Sequence, residues 1–513
     1  MNSSNRSFLI LFLAFELILG WLEYIGLPPI GMHQGAQADR ASIALNYYQE
    51  SRNFFEPRVM ENRAFQGITG LEFPIIQYLV SFLYDLFGFH DSIYRVIVGI
   101  ISMFGLWAVW NILGQITQKQ SHRVLIWVLW ASSPIFIFYQ WNFLPDMPSL
   151  SLTMLGWWYF IQGYNGKLPS NNFLKTNVSL LFAGLLKVTL LSNWIMMVLI
   201  VLFGDRFKLQ KIKFSSGLWS FILPILFVPT WYYYAHQLTA KTYNYHFLQK
   251  TNLPSSFSEF LDNSQFAINT WIESIYPQEF LILLALIFLF AIQRNLKNLE
   301  LWGVISIFQI LSFLGVFILF NRQFRFHDYY FLQILPAVFF MICFIYQKLI
   351  FNQFMFRGMV GILVMIGIYI SPFINFFHAK NQLRRTFTEG DYFNQSLISK
   401  SQISDLQKAK SWLDTKYPNK NYELITAEDA SPNTNLYFLK EQGIRIAPDF
   451  DLNITKNIVL EKLKNTPNTL PICVLLGENK NNVSPLLEAT PLVRIGDVRI
   501  IKLVNLDSIE RIK

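Results

Sequence analysis

Apolar residues recur along this chain in blocks of about 15 to 21, the length a helix needs to cross a bilayer, and polar turns separate them. The first block, Ser7 to Leu27, follows Arg6. It is too long for a signal peptide and lacks a small-residue cleavage site, so it reads as an anchor with its basic end in the cytoplasm. Glu16 inside it needs a partner within the bundle, because a lone charge in hydrocarbon is costly. Ten further blocks read as crossings: Ser92 to Leu113, Val124 to Tyr139, Ser149 to Tyr164, Phe173 to Leu186, Leu190 to Phe203, Phe214 to Tyr234, Phe280 to Ile292, Leu301 to Phe320, Phe331 to Tyr346 and Met359 to Phe376. The pattern therefore predicts about eleven crossings.

One block is different. Phe73 to Phe87 is short, has Pro74 at its start and contains Asp85, which suits an interfacial helix lying along the membrane. With that block left uncounted, the basic turn Lys119 to Arg123 falls in the cytoplasm, and so do Arg206, Lys208, Lys211, Lys213, Arg294 and Lys297. This agrees with the excess of Lys and Arg on cytoplasmic loops. The same parity puts four segments outside: the loop Met32 to Tyr78, the turn Asn142 to Pro148, the loop His236 to Glu279 with Tyr243, Tyr245, His246 and Trp271, and the turn Asn321 to Tyr330.

Past about His378 the pattern changes to that of a globular domain. Ser401 to Thr415 has helical apolar spacing, Tyr422 to Thr426 and Leu470 to Leu476 read as strands, and Val493 to Ile501 reads as a hairpin around Gly496-Asp497. The expected architecture is a polytopic α-helical membrane domain over residues 1–377, with a long external loop at about 28–91, and a small extracytoplasmic α/β domain over 378–513. That domain holds no Gly-rich phosphate loop and no metal-spaced Cys/His cluster, so it reads as a support or binding module.

Composition agrees with the pattern: 53% hydrophobic, 17% aromatic and 15% charged residues give a mean hydropathy of +0.32, too apolar for a soluble chain of 513 residues. The net charge of +9 is explained by cytoplasmic turns, and no nucleic-acid partner is implied. Cys343 lies in an apolar block and Cys473 in the tail, so no disulfide is expected.

The outer face gathers Asp39, Glu72, Asp146 and Asp328 with Arg40, Arg58, Lys187, Arg322, Arg325, His33 and His327. Carboxylates beside cations at a membrane surface suit a reaction in which a lipid phosphate leaves and a hydroxyl or amine attacks. The cations stabilise the leaving charge, and a carboxylate takes the proton. Solvated loop charges of modest energy are the plain alternative, and they suffice for Arg58 and Asp328. Asp39 and Asp146 are flanked by apolar segments, which favours function for them.

These features resemble one family. An early acid in the first external loop, Pro57, the Gly70 to Pro74 turn before an interfacial helix, Asp146 heading a crossing, Lys187 between two crossings, and His327-Asp328-Tyr329-Tyr330 before a Pro336-containing helix together look like the GT-C glycosyltransferases. The pattern is most similar to the protein O-mannosyltransferase-like and lipid A aminoarabinose transferase-like enzymes. Two departures stand out: Glu72-Phe73-Pro74 replaces a Lys-Pro-Pro of the aminoarabinose type, and Asp39-Arg40 replaces an acid pair. One expected phosphate-binding lysine is therefore absent, and the donor sugar is left open.

The resemblance implies an inverting transfer of a hexose or pentose from a polyprenyl-phosphate-linked donor to a lipid, glycan or protein acceptor. The catalytic positions map to Asp39, as general base, and Asp146. Arg40, Glu72, Lys187, Arg322, Arg325, His327 and Tyr329 are the candidate substrate-binding residues. His33, Glu72 and His327 are candidate ligands for a divalent metal, although their spacing is not diagnostic. The implied location is the plasma (inner) membrane, with the N-terminus cytoplasmic and the C-terminal domain outside. The rival reading is a transporter or flippase of a lipid-linked saccharide. Such proteins tend to carry internal repeats and charges near the midplane, which this chain does not display.

Overall fold

The computed structural model describes residues 3–62, 65–207, 209, 216–242, 247, 252–296, 299–350, 369–388, 398–427, 433–446, 469–476 and 489–503. Lys208, Lys211, Lys213, Tyr243, Tyr245, His246, Lys297 and the start of the Met359 to Phe376 block lie outside the described residues. The chain is mostly helical with a five-stranded sheet near its C-terminal end. Among the described residues six helical segments are long and apolar enough to cross a membrane: Asp91–Ile116, Val188–Phe207, Gly217–Thr242, Gln278–Asn295, Glu300–Leu319 and Asp328–Lys348.

Several blocks differ in detail from their sequence reading, each for a local reason. The first helix, Ser3–Leu19, ends before Gly20, whose left-handed φ of 84° turns the chain into a single 3-10 turn at Trp21–Glu23. Val124 to Tyr139 is two helices, Gln120–Ala131 and Pro134–Tyr139. Pro134 has no N–H to continue the helix and pushes Ser133 to an extended ψ of 123°. The segment His236 to Glu279, read as an external loop, contains the helix Phe257–Ile275, capped by Ser256 through the Glu259 backbone N–H. Phe73 to Phe87 yields the short apolar helix Ile75–Phe87.

The chain divides into two compact units. The bundle unit comprises Met1–Gly26, Arg95–Tyr233 and Gln249–Thr386. Two buried charged groups inside it find partners within the unit, which lowers the cost of placing them there. Glu16 receives hydrogen bonds from Gln140 Nε2 at 2.5 Å and Trp141 Nε1 at 3.0 Å, the intrabundle partner its position called for. Arg95, fully buried, donates to the Trp141 carbonyl at 2.8 Å, and its guanidinium lies 4.6 Å from the Phe143 ring centre.

The second unit comprises Leu27–Tyr94, Tyr234–Leu248 and Phe387–Lys513. Its sheet has strands β1 (Tyr422–Ala427), β2 (Ile444–Ile446), β3 (Leu470–Leu476), β4 (Ala489–Ile495) and β5 (Val498–Leu503), in the order β2-β1-β3-β5-β4. β2, β1 and β3 run parallel, whereas β5 and β4 form an antiparallel hairpin whose turn holds Gly496 at φ 55°. The helix Lys400–Lys416 opens with a capping box between Ser399 and Gln402 and buries Ile403, Leu406, Ala409 and Leu413 along one face. Asp405 on this helix accepts the Asp497 backbone N–H at 3.2 Å and so ties the hairpin turn to the helix. Cys343 and Cys473 are both buried.

The long loop after the first helix is built into this same unit. Asn62 N–H donates to the Gly443 carbonyl at 2.9 Å and Gly443 N–H to the Met60 carbonyl at 3.1 Å, which joins the loop to the chain just before β2. Gln34 accepts from Ile398 N–H at 2.9 Å and donates back to the Ile398 carbonyl at 3.3 Å. Ile43, Tyr47, Val59, Leu71 and Phe247 form a small apolar core beneath.

Candidate active site

The loop-and-sheet unit holds Asp39, Arg40, Glu72 and His33. Asp39 lies in the second turn of the helix Gln34–Gln49. Gln37, on the same helix, donates to the Ile30 and Met32 carbonyls at 3.0 and 2.8 Å, which anchors the chain leading into it. Asp39 is half-buried and its Oδ1 accepts a hydrogen bond from Asn433 Nδ2 at 2.8 Å. The Asn433 amide is oriented in turn, because its Oδ1 accepts the Glu61 backbone N–H at 2.8 Å. Arg40 donates to both oxygens of Glu72, at 3.0 and 3.5 Å, and its guanidinium lies 4.7 Å from the Phe247 ring centre. Burial raises the Tyr47 phenol well above its usual range, so it stays protonated and donates to the Phe54 carbonyl at 2.9 Å.

The bundle unit holds Asp146, Lys187, His327, Tyr329, Arg322 and Arg325. Asp146 is the first residue of the helix Asp146–Tyr164, where the positive end of the helix dipole favours a carboxylate. Lys187 occupies an extended break, φ −151° and ψ 105°, between the helix Pro169–Leu186 and the 3-10 turn Val188–Leu191. Its Nζ is 2.8 Å from Asp146 Oδ1, with side-chain exposures of 16% and 4% for the pair. The same ammonium lies 4.9 Å from the Tyr329 ring centre and 4.1 Å from that of Tyr330, within cation–π range. Tyr139 donates to Asp328 Oδ1 at 2.6 Å, and His327 stacks on Tyr329 with centroids 5.1 Å apart. The result is a cation walled by aromatic rings and anchored by a buried acid.

Arg322 and Arg325 are placed differently. Arg322 donates to Glu259 through both Nε and Nη2, the Nη2 bond at 2.8 Å, and Arg325 pairs with Asp262 while donating to Asn263 Oδ1 at 3.0 Å. The Arg322 hydrogen bond, followed by the Ser255 bonds, pulls the Glu259 carboxyl well below its usual range. These arginines therefore arrive with carboxylates of the helix Phe257–Ile275 already on them.

The structure thus joins Asp146, Lys187, Tyr329 and His327 in one cluster, and Arg40 with Glu72 in another. His33 caps the helix Gln34–Gln49 in a left-handed conformation, Glu72 holds Arg40, and His327 belongs to the bundle unit. Among the described residues no group of three or more His, Cys, Asp and Glu side chains is placed to hold a metal ion. Residues that the sequence did not single out include Asn433, Tyr139 and Glu259. Asn433 carries no motif, while Glu259 and Asp262 are spaced to meet arginines only once a helix is known there.

No protein-family model matches the chain, and no curated protein matches it by sequence. Solved structures do. ArnT from Cupriavidus metallidurans bound to undecaprenyl phosphate superposes with a TM-score of 0.60 at 11% identity, over 98% of this chain and 99% of that one. The oligosaccharyltransferase of Archaeoglobus fulgidus in complex with Zn and sulfate superposes with a TM-score of 0.55 at 11% identity, over 91% of this chain and 68% of that one. This is the GT-C fold. The GT-C fold extends over nearly the whole chain, from the first helix through the C-terminal sheet. The motif order in the sequence therefore resembles a fold that the chain does have.

Proposed function

We propose that this chain is a membrane glycosyltransferase that moves a sugar from a polyprenyl-phosphate-linked donor to a lipid, glycan or protein acceptor on the extracytoplasmic face. One observation carries the reading: the GT-C fold is matched end to end by ArnT, whose structure holds undecaprenyl phosphate. In this reading about eleven helices cross the membrane and the C-terminal sheet lies outside.

The chemistry follows from the residues. The acceptor oxygen attacks the anomeric carbon from the face opposite the phosphate, its proton passes to the Asp39 carboxylate, and the bond from the anomeric carbon to the phosphate oxygen breaks. Inversion at that carbon is the stereochemical result. The departing phosphate monoester gathers negative charge, which the Lys187 ammonium neutralises. Lys187, Arg322 and Arg325 are the clamp candidates, and each already carries a carboxylate, from Asp146, Glu259 and Asp262 respectively. Asp146 holds Lys187 in place, and the rings of Tyr329 and Tyr330 restrict where the ammonium can go.

The test is release of undecaprenyl phosphate by purified protein from a panel of undecaprenyl-phosphate-linked pentoses and hexoses, because that product is common to every acceptor. Asp39→Asn keeps size and most hydrogen bonding while removing the base, and its turnover is expected to fall by about 10²- to 10⁴-fold. Turnover at the wild-type rate would remove Asp39 from the chemistry. Donor binding without any sugar transfer in the wild type would return the protein to the transporter reading.

A further inference from the structure

The acid proposed as the base does not stand alone on its helix, since the C-terminal domain reaches it. Asn433 is fully buried, and its two amide atoms have separate tasks. Its Oδ1 accepts the backbone N–H of Glu61, and a carbonyl oxygen is the only amide end that can do so. The Nδ2 end is therefore fixed toward Asp39, whose Oδ1 it meets at 2.8 Å. Asn433 is itself held by the next helix, Thr434–Leu439, where the Tyr437 N–H donates to the Asn433 carbonyl at 2.8 Å. No rotation of the amide satisfies both bonds in any other way.

We propose that Asn433 is a positioning residue that orients and tunes Asp39, so that the C-terminal sheet domain takes part in the reaction without touching the reacting atoms. This inference rests on the reading of Asp39 as the base. The amide suits the task for an electrostatic reason. A donor bonded to the charged form of a carboxylate favours ionisation, but a cation in the same place would depress the pKa by about 1–3 units and weaken the base. A neutral amide orients the Oδ1 end of the carboxylate without itself adding a charge beside it.

A merely structural Asn433 would tie Glu61 to the sheet domain and leave Asp39 indifferent. Two variants separate these roles. Asn433→Asp keeps an acceptor for the Glu61 N–H and nearly the same shape, but it sets a second carboxylate against Asp39, and one proton must then be shared between them. Asn433→Ala removes both bonds.

The measurement is isotope-edited infrared titration of the Asp39 carboxyl in the full-length protein reconstituted in lipid nanodiscs, with the Asp39→Asn spectrum subtracted to isolate its band. It needs no substrate. The titration midpoint is expected to rise by at least about one pH unit in Asn433→Asp, and by less in Asn433→Ala, where only a donor to the ionised form is lost. In the release assay with undecaprenyl-phosphate-linked sugars, Asn433→Ala is expected to lose about 10²-fold through misplacement of the base. The acid limb of the Asn433→Asp rate profile should move to higher pH with the infrared midpoint. An Asp39 band and midpoint unchanged in both variants would overturn the proposal while the base reading stood. Wild-type turnover by Asp39→Asn would instead remove the base, even if the infrared coupling to Asn433 were found.

Discussion

In the proposed mechanism the ion pair of Lys187 and Asp146 serves stability and function together. Asp146 is nearly fully buried, so removing its partner leaves an uncompensated charge, a change that typically costs about 3–5 kcal/mol. Lys187→Ala is therefore expected to lower the melting temperature, and to weaken undecaprenyl phosphate binding by about 1.5–3 kcal/mol as a charge-assisted contact is lost. The double variant Lys187→Ala with Asp146→Asn separates the two effects. It should recover much of the stability and none of the binding, read by thermal unfolding and by lipid-binding titration; recovery of both would deny Lys187 the clamp role. Each residue was legible in the sequence as a candidate because it stands at the polar edge of an apolar block, where charge is scarce and costly, but their pairing was not. The partner of Asp39 was not, since Asn433 lies 394 positions away and a lone asparagine carries no periodicity.

Among the elements, those specified by near neighbours were the ones the pattern could resolve. The helix Lys400–Lys416 follows from its apolar spacing and its Ser399–Gln402 cap, and the β4–β5 hairpin from the Gly496-Asp497 turn. Val124 to Tyr139 is continuous in apolar content, yet Pro134 interrupts the backbone ladder and splits it into two helices. Close backbone approach is also silent in a sequence. A Cβ on Gly70 would come within 1.9 Å of the Ala235 carbonyl oxygen, and Gly70 N–H already donates to Thr239 Oγ1 at 3.2 Å. Gly70→Ala is expected to destabilise the loop-and-sheet unit by about 1–3 kcal/mol, since backbone rather than a side chain must yield. Gly26→Ala, with nothing within 4 Å of the added carbon, should leave melting unchanged and serves as the control. Equal melting of both variants would mean that the segment carrying Glu72 packs more loosely than these distances imply.

At the scale of the molecule, the alternation of apolar blocks and basic turns was enough to indicate a polytopic protein and its fold. It could not show that the first loop and the C-terminal sheet form one unit, because their bonds pair residues at opposite ends of the chain. The proposed sidedness is tested by single cysteines at Ser121 and Ser401, both exposed, against a background in which Cys343 and Cys473 are buried. Impermeant maleimide should label Ser401→Cys from outside and Ser121→Cys only after permeabilisation; labelling of both from one side would reject the crossing count. The bond between Asp39 and Asn433 also has a consequence in time. At about 5–20 residues per second, translation takes roughly 20 to 80 s to travel from one to the other. Throughout that interval the helix carrying Asp39 has been synthesised but its amide has not, and the segment around Met60 waits for Gly443 in the same way. A ribosome that stalls between the codons of Phe376 and Asn433 would release a chain with every apolar block made and its proposed base without the amide. Completion of the polypeptide is in this sense the final assembly step of the site, and an abandoned chain is left inactive in the membrane.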